Sequence, residues 1–231
     1  ALSFLGYVAI NIAGPRLGSL MTGALAGLAS STATTLAFAR LGAVQKNLEP
    51  VLATGIVIAA GITFVRILVI IGIVNPALLP ILAVPLGLMA AASAGVAVFL
   101  GLRAHGKSEP PATELPNPSE LRSAVVFGAF LAAILLLSHA VKQWIGEQGL
   151  YGLAAVSGLA DVDAITLSMA NMAETGLNAR TASAAIVIAA ISNLAVKGGL
   201  VAVIARGALA RNVAFAFAAI AAAGVIGILI R

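Results

Sequence analysis

What most constrains this chain is how rarely a charge interrupts it. Runs free of Asp, Glu, Lys and Arg cover residues 1–15, 17–39, 50–65, 67–102, 123–141, 148–160, 181–196 and 212–230. A soluble domain carries about 25% charged residues, whereas this chain carries 9% and is 61% hydrophobic. That supply cannot cover a water-facing surface, and several runs approach the ~20 apolar residues that cross a bilayer as a helix. The composition predicts an all-α integral membrane protein whose first partner is the lipid bilayer. A net charge of +5 does not make it a nucleic-acid binder. Its Lys and Arg stand mostly at the ends of apolar runs, where they flank spans, and they form no basic patch interleaved with aromatics.

Loop signals cut the runs into about eight spans, with seven to nine as the range. The chain opens inside an apolar run, ALSFLGYVAINIAG, with no basic leader or initiator Met, so it is expected to follow another membrane segment. The second span covers 18–41. Glu49-Pro50 opens the third, which runs to 74, because Pro at a helix start loses no needed hydrogen bond. Asn75-Pro76 separates it from the fourth, 76–102. The polar, Pro-rich stretch RAHGKSEPPATELPNPSELR, 103–122, is the one long aqueous loop, and it ends in Asn117-Pro118-Ser119-Glu120, an N-cap, N1 and N3 pattern. The fifth span, 119–145, brings Trp144 to the interface. The sixth, seventh and eighth are expected at 149–173, 179–205 and 209–230.

Two halves resemble each other. GLASSTATTLA (27–37) and GLADVDAITLS (158–168) agree at six of eleven positions, and IVIAA follows each, at 56–60 and 186–190. This predicts a duplication: a first membrane repeat at 1–102, a loop at 103–120 and a second repeat at 121–231. Duplicated halves are common in transporters, with the site near the midplane at the repeat interface. Four full spans per half would make the repeats parallel, whereas re-entrant motif segments would make them inverted.

The motif carries the unusual residues. Asp161 and Asp163 lie in apolar sequence, and each costs roughly 2.5–3.5 kcal/mol at a helix centre on insertion scales. Ser30 and Thr32 take their places in the first copy. Residues two apart point about 200° from each other on a regular helix, so both acids can serve one cavity only if the helix unwinds, as expected near Gly158 and, in the first copy, near Gly27. Broken or irregular helices at both motifs would gather Asp161, Asp163, Ser30, Ser31 and Thr32 into an oxygen-rich cation site. With no Cys and two His, a metal here would be a hard divalent cation such as Mg²⁺, bound by Asp161 and Asp163. Asn193 and Lys197 share a face of the seventh span. Lys197 is expected to compete with a cation or proton for the aspartates; the plainer alternative is a structural salt bridge or snorkelling. Arg66 is the counterpart of Lys197 in the third span, with Thr63 near the counterpart of Asn193, and Thr166 completes the secondary candidates.

These motifs resemble a known family. GPRLGSLMTGALAGLASSTATTLAFAR, NPSELRSAVVFG, GLYGLAAVSGLADVDAITLSMA and AAISNLAVKGG are similar to the uncharacterised C-terminal membrane domain of bacterial MgtC/SapB family proteins. The resemblance covers nearly the whole chain. It implies a multi-pass protein of the bacterial inner membrane, usually preceded by an MgtC-like membrane module, in a family labelled as Mg²⁺ transporters. The family's marked positions fall on Ser30, Ser31, Thr32, Asn117, Pro118, Asp161, Asp163, Asn193 and Lys197.

The expected function is a transporter or channel for a small solute or ion, most of all a divalent cation, with proton coupling as an option, and not an enzyme. A non-transporting sensor or regulatory module is the alternative. An intramembrane aspartyl hydrolase is disfavoured, because a carboxylate dyad sharing a proton is best supplied by two facing segments and both acids sit on one. Small residues over 207–226 would also suit a homodimer face.

Overall fold

In a computed structural model the backbone of residues 19–103 and 121–230 is described, with side chains from 30–103 and 125–230. The expected first span, the loop with His105, and the helix start at Asn117-Pro118 lie outside the described residues. Of Gly27 only the backbone is described.

The described residues form helices joined by short turns, with no strand among them. α1 is Ser19–Val44, α2 Glu49–Val74, α3 Leu79–Arg103, α4 Leu121–Trp144, α5 Gly149–Ala160, α6 Val162–Glu174, α7 Ala179–Ile204 and α8 Gly207–Leu229. Short 3-10 turns, Lys46–Leu48 and Pro76–Leu78, precede α2 and α3. α2 ends at Val74 because the residue before a proline is pushed out of the helical region, and Asn75 has φ −144° and ψ 83°.

Among the described residues, five helices are long and apolar enough to cross a membrane: Lys46–Val74, Pro76–Arg103, Val125–Trp144, Ala179–Ile204 and Gly207–Leu229. The chain is a multi-pass membrane protein. Large apolar side chains such as Leu136, Val203, Phe215 and Leu229 are exposed, as a lipid-facing surface requires. The sixth expected span, 149–173, is not one helix. It divides into α5, of 12 residues, and α6, of 13, at an extended Asp161. The break also falls three residues after Gly158, which is itself helical.

The helices form two compact units. The first gathers α1, 49–63, 89–103, 197–204 and 207–220. At one end, Lys46 Nζ donates to Ala205 O at 3.0 Å and pairs with Glu49 at 3.2 Å. α2 leaves that end and α7 arrives at it, so the two run antiparallel within this unit. Its packing relies on small residues. Phe38, 1% exposed, lies over Gly55, and Gly61 leaves room for the Ser93 side chain.

The second unit gathers 64–74, 79–88, α4, α5, α6, 179–196 and 221–229. Glu147, just before α5, accepts from Thr181 Oγ1 at 2.6 Å and Asn178 N at 3.5 Å, both at the start of α7. In line, α5 and α6 would extend ~18 and ~20 Å at ~1.5 Å per residue and part their outer ends by roughly the sum. The Glu147 contacts bring those ends together instead, so α5 and α6 form a hairpin with Asp161 at its tip. Asn75 Nδ2 donates to Ala170 O at 3.0 Å, which places the end of α2 near the end of α6. α2 therefore runs parallel to α6 and antiparallel to α7, the same relation found independently in the first unit. α4 packs on both arms of the hairpin, and Ser168 Oγ donates to Ser138 Oγ at 2.8 Å between α6 and α4.

Candidate functional site

Each unit contains one copy of the duplicated motif, and in each copy the backbone leaves the helix at the equivalent residue. Ser30 has φ −163° and ψ 104° inside α1, and Asp161 has φ −154° and ψ 136° between α5 and α6. Both residue types are N-cap formers, whose side-chain oxygen accepts a backbone N–H from the first turn of the helix that follows. Ser30 Oγ accepts from Ala33 N at 3.3 Å, and Asp161 Oδ1 accepts from Asp163 N at 2.7 Å. The threonine five residues on then donates back to a backbone carbonyl in both copies, Thr35 to Ser31 O and Thr166 to Val162 O, each at 2.8 Å. Thr166 is thereby committed to its own helix and is fully buried.

In the first unit the motif is met by hydroxyls and an ammonium. Ser31, 5% exposed, accepts on Oγ from Thr63 Oγ1 at 3.0 Å and from Lys197 Nζ at 2.9 Å. Lys197 is 1% exposed. Thr63 Oγ1 also lies 3.3 Å from Ala59 O. Thr32 is exposed, so of the three consecutive hydroxyl residues Ser31 is the one at the centre of this cluster.

In the second unit the motif is met by a guanidinium and an amide. Arg66 Nη2 lies 2.9 Å from Asp163 Oδ2 and 3.1 Å from Oδ1. The two side chains are 11% and 19% exposed, so the pair is largely desolvated. Asp163 also stands in the first turn of α6, where the helix macrodipole favours an anion. Asn193, 7% exposed, donates to Gly158 O at 3.1 Å. α5 can approach α7 this closely because position 158 has no side chain: a Cβ would fall within 2.9 Å of the Ala189 backbone.

The cation beside Asp163 is Arg66, and the Lys197 ammonium donates to Ser31. The direction of the helices explains this arrangement. Because α2 and α7 are antiparallel, the first motif meets Thr63 of α2 and Lys197 of α7, and the second meets Asn193 of α7 and Arg66 of α2.

Sequence reasoning did not single out Ser157 and Ser183. Both are buried, at 3% and 5% exposure, and their hydroxyls are without hydrogen-bond partners, as is Arg66 Nε. Other buried helical hydroxyls, such as Ser93 and Ser138, donate to the carbonyl four residues back. No local sequence signal separates the two classes of serine. Among the described residues, no three His, Cys, Asp or Glu side chains converge as metal ligands would. A divalent ion at Asp161 and Asp163 would therefore complete its shell with carbonyls, hydroxyls and water, which Mg²⁺ commonly retains.

The model of the domain of unknown function DUF4010 matches residues 1–205. An uncharacterized protein of Aquifex aeolicus (strain VF5) is 31% identical over 185 residues, which span 79% of this chain and 80% of that protein. No solved structure matches.

Proposed function

We propose that this chain, which belongs to the DUF4010 family, carries a small solute across the membrane, and that Asp163 is where a cation or proton acts. The observation that carries the proposal is the Arg66–Asp163 pair at the start of a helix that begins at a hairpin tip. A buried ion pair is weak evidence for stability, because well-packed apolar residues often serve as well. It is well suited to switching, because a proton or cation that takes the carboxylate releases the guanidinium.

The broken helices support the same reading. Irregular backbone at membrane depth is tolerated where it lines a cavity or is buried in protein, and secondary transporters place their sites at such breaks within inverted repeats. In this reading α5–α6 is a re-entrant hairpin rather than a span, and the antiparallel α2 and α7 mark the duplication as inverted. The motif resemblance to MgtC/SapB proteins favours a divalent cation such as Mg²⁺ and a bacterial inner membrane.

Uptake into proteoliposomes tests this. Wild type is compared with Asp161→Asn and Asp163→Asn for Mg²⁺, Mn²⁺, Co²⁺ and Ni²⁺, with an internal pH dye. Saturable flux in wild type and its loss in folded Asp163→Asn is the expected result. Wild-type flux in both variants would remove the aspartates from the site. A folded wild type that moves neither metal nor protons would favour a sensor or regulatory module.

A further inference from the structure

α2 and α7 each touch both motifs within about one helical turn. α2 supplies Thr63 to Ser31 and, three residues on, Arg66 to Asp163. α7 supplies Asn193 to Gly158 O and, four residues on, Lys197 to Ser31. Both helices run unbroken through these positions. Three and four residues correspond to ~4.5 and ~6 Å along a helix axis, too short for one contact to move without the other.

We propose that the two motifs are energetically coupled through α2 and α7, so that the state of Asp163 sets the hydrogen bonding of Ser31. This builds on the transport reading by giving the same site a regulator. Hydrogen bonds fade beyond about 3.5 Å, and Thr63 stands 3.0 Å from Ser31, so a retreat of α2 by about 0.5 Å, or a slide of about 2 Å along its axis, as Arg66 leaves Asp163 breaks that bond. α7 transmits in the opposite sense. Loss of the Lys197–Ser31 bond shifts Asn193 and with it the hairpin arm that Asn193 holds at Gly158. A continuous helix with contacts at two places is a physical carrier of coupling, and the coupling must be reciprocal.

The chain has no cysteine, so single-cysteine reporters work without background. Thr32→Cys, at an exposed position beside Ser31, reports on the first motif. Leu159→Cys, at a position 50% exposed beside Gly158, reports on the second. Alkylation rates by a membrane-permeant maleimide are measured in native membranes, with and without Asp163→Asn. Where that variant fails to reach the membrane, Arg66→Lys, which keeps the charge and loses the fork, provides the perturbation. The expected result is a rate change at Thr32→Cys of about fivefold or more, the lower end of ordinary coupling energies. Thr63→Val combined with Lys197→Met should abolish the response to Asp163→Asn, which a general loosening of the fold would not do. A Thr32→Cys rate that stays within about twofold, below the range of ordinary coupling, overturns the inference whether or not Leu159→Cys responds. The readout needs no flux, so a failed transport assay and a failed coupling are separate results.

Discussion

Adding one methyl group at Gly158 should separate two helices. A Cβ there would stand 2.8 Å from Ala189 Cα and 2.9 Å from its carbonyl carbon, and closer still to its carbonyl oxygen. These are backbone atoms of α7, so no side chain can rotate away and α5 must move. Overpacking of this kind costs about 1–3 kcal/mol. The Asn193–Gly158 bond, 3.1 Å long, would stretch or break, at a further cost of roughly 0.6 kcal/mol on the average for polar contacts between membrane helices. Ala gains up to ~1 kcal/mol over Gly in helix propensity, so the net loss is about 1–3 kcal/mol. For a chain of this size that is a fall in melting temperature of roughly 3–10 °C. Thermal unfolding in detergent, followed by the loss of the monodisperse size-exclusion peak, measures it. Gly152→Ala is the paired control. Position 152 lies on the same helix and is exposed, with nothing near a Cβ, so the propensity gain should raise the melting temperature by about 1–4 °C. A Gly158→Ala protein that melts at or above wild type would show that α5 and α7 do not approach as described.

The remaining predictions use other contacts. Arg66→Gln or Asp163→Asn alone should destabilise by about 3 kcal/mol, because each leaves a partner in a largely desolvated place, while the double substitution should recover at least half of that loss in a double-mutant cycle. Ser168→Ala should cost about 1 kcal/mol by removing the bond to Ser138, whose own hydroxyl still donates to Ile134 O; the same thermal assay reads it. Arg206 has φ +53° in the turn between α7 and α8, where a side chain is strained, so Arg206→Gly should stabilise by about 0.5–1 kcal/mol. An Arg206→Gly protein less stable than wild type would place another requirement on that side chain.

Much of the helical layout was legible in local chemistry. Asn75-Pro76 and Glu49-Pro50 mark helix ends because proline restricts its neighbour and lacks a donor, and α2 and α3 begin and end as those residues dictate. The break at Asp161 was legible in principle too. An aspartate followed two residues later by a second acid is an N-cap and first-turn pattern, and Ser30 repeats the N-cap type in the first copy. Unwinding is expected near Gly158, and the break falls three residues later, at Asp161. The partner of Asp163 was not legible. Arg66 and Asp163 lie 97 residues apart in sequence, and only the course of α2 alongside α6 brings them together. Lys197 was the natural choice because an intramembrane cation needs an anion and the two aspartates are the acids placed at similar depth.

The hairpin also constrains how the protein enters the membrane during synthesis. Arms of 12 and 13 residues are shorter than the ~20 residues that leave a translocon as a span. Neither arm is long enough to be released into lipid as a span on its own. The cation for Asp163 is made much earlier, in α2, whereas Asn193 and the Ala189 backbone arrive only with α7. Chains ending after residue 178 and released from the ribosome should therefore keep the hairpin tip within reach of water, and released chains ending after Ile204 should withdraw it. Membrane insertion of the motif would then be completed by folding and not by hydropathy.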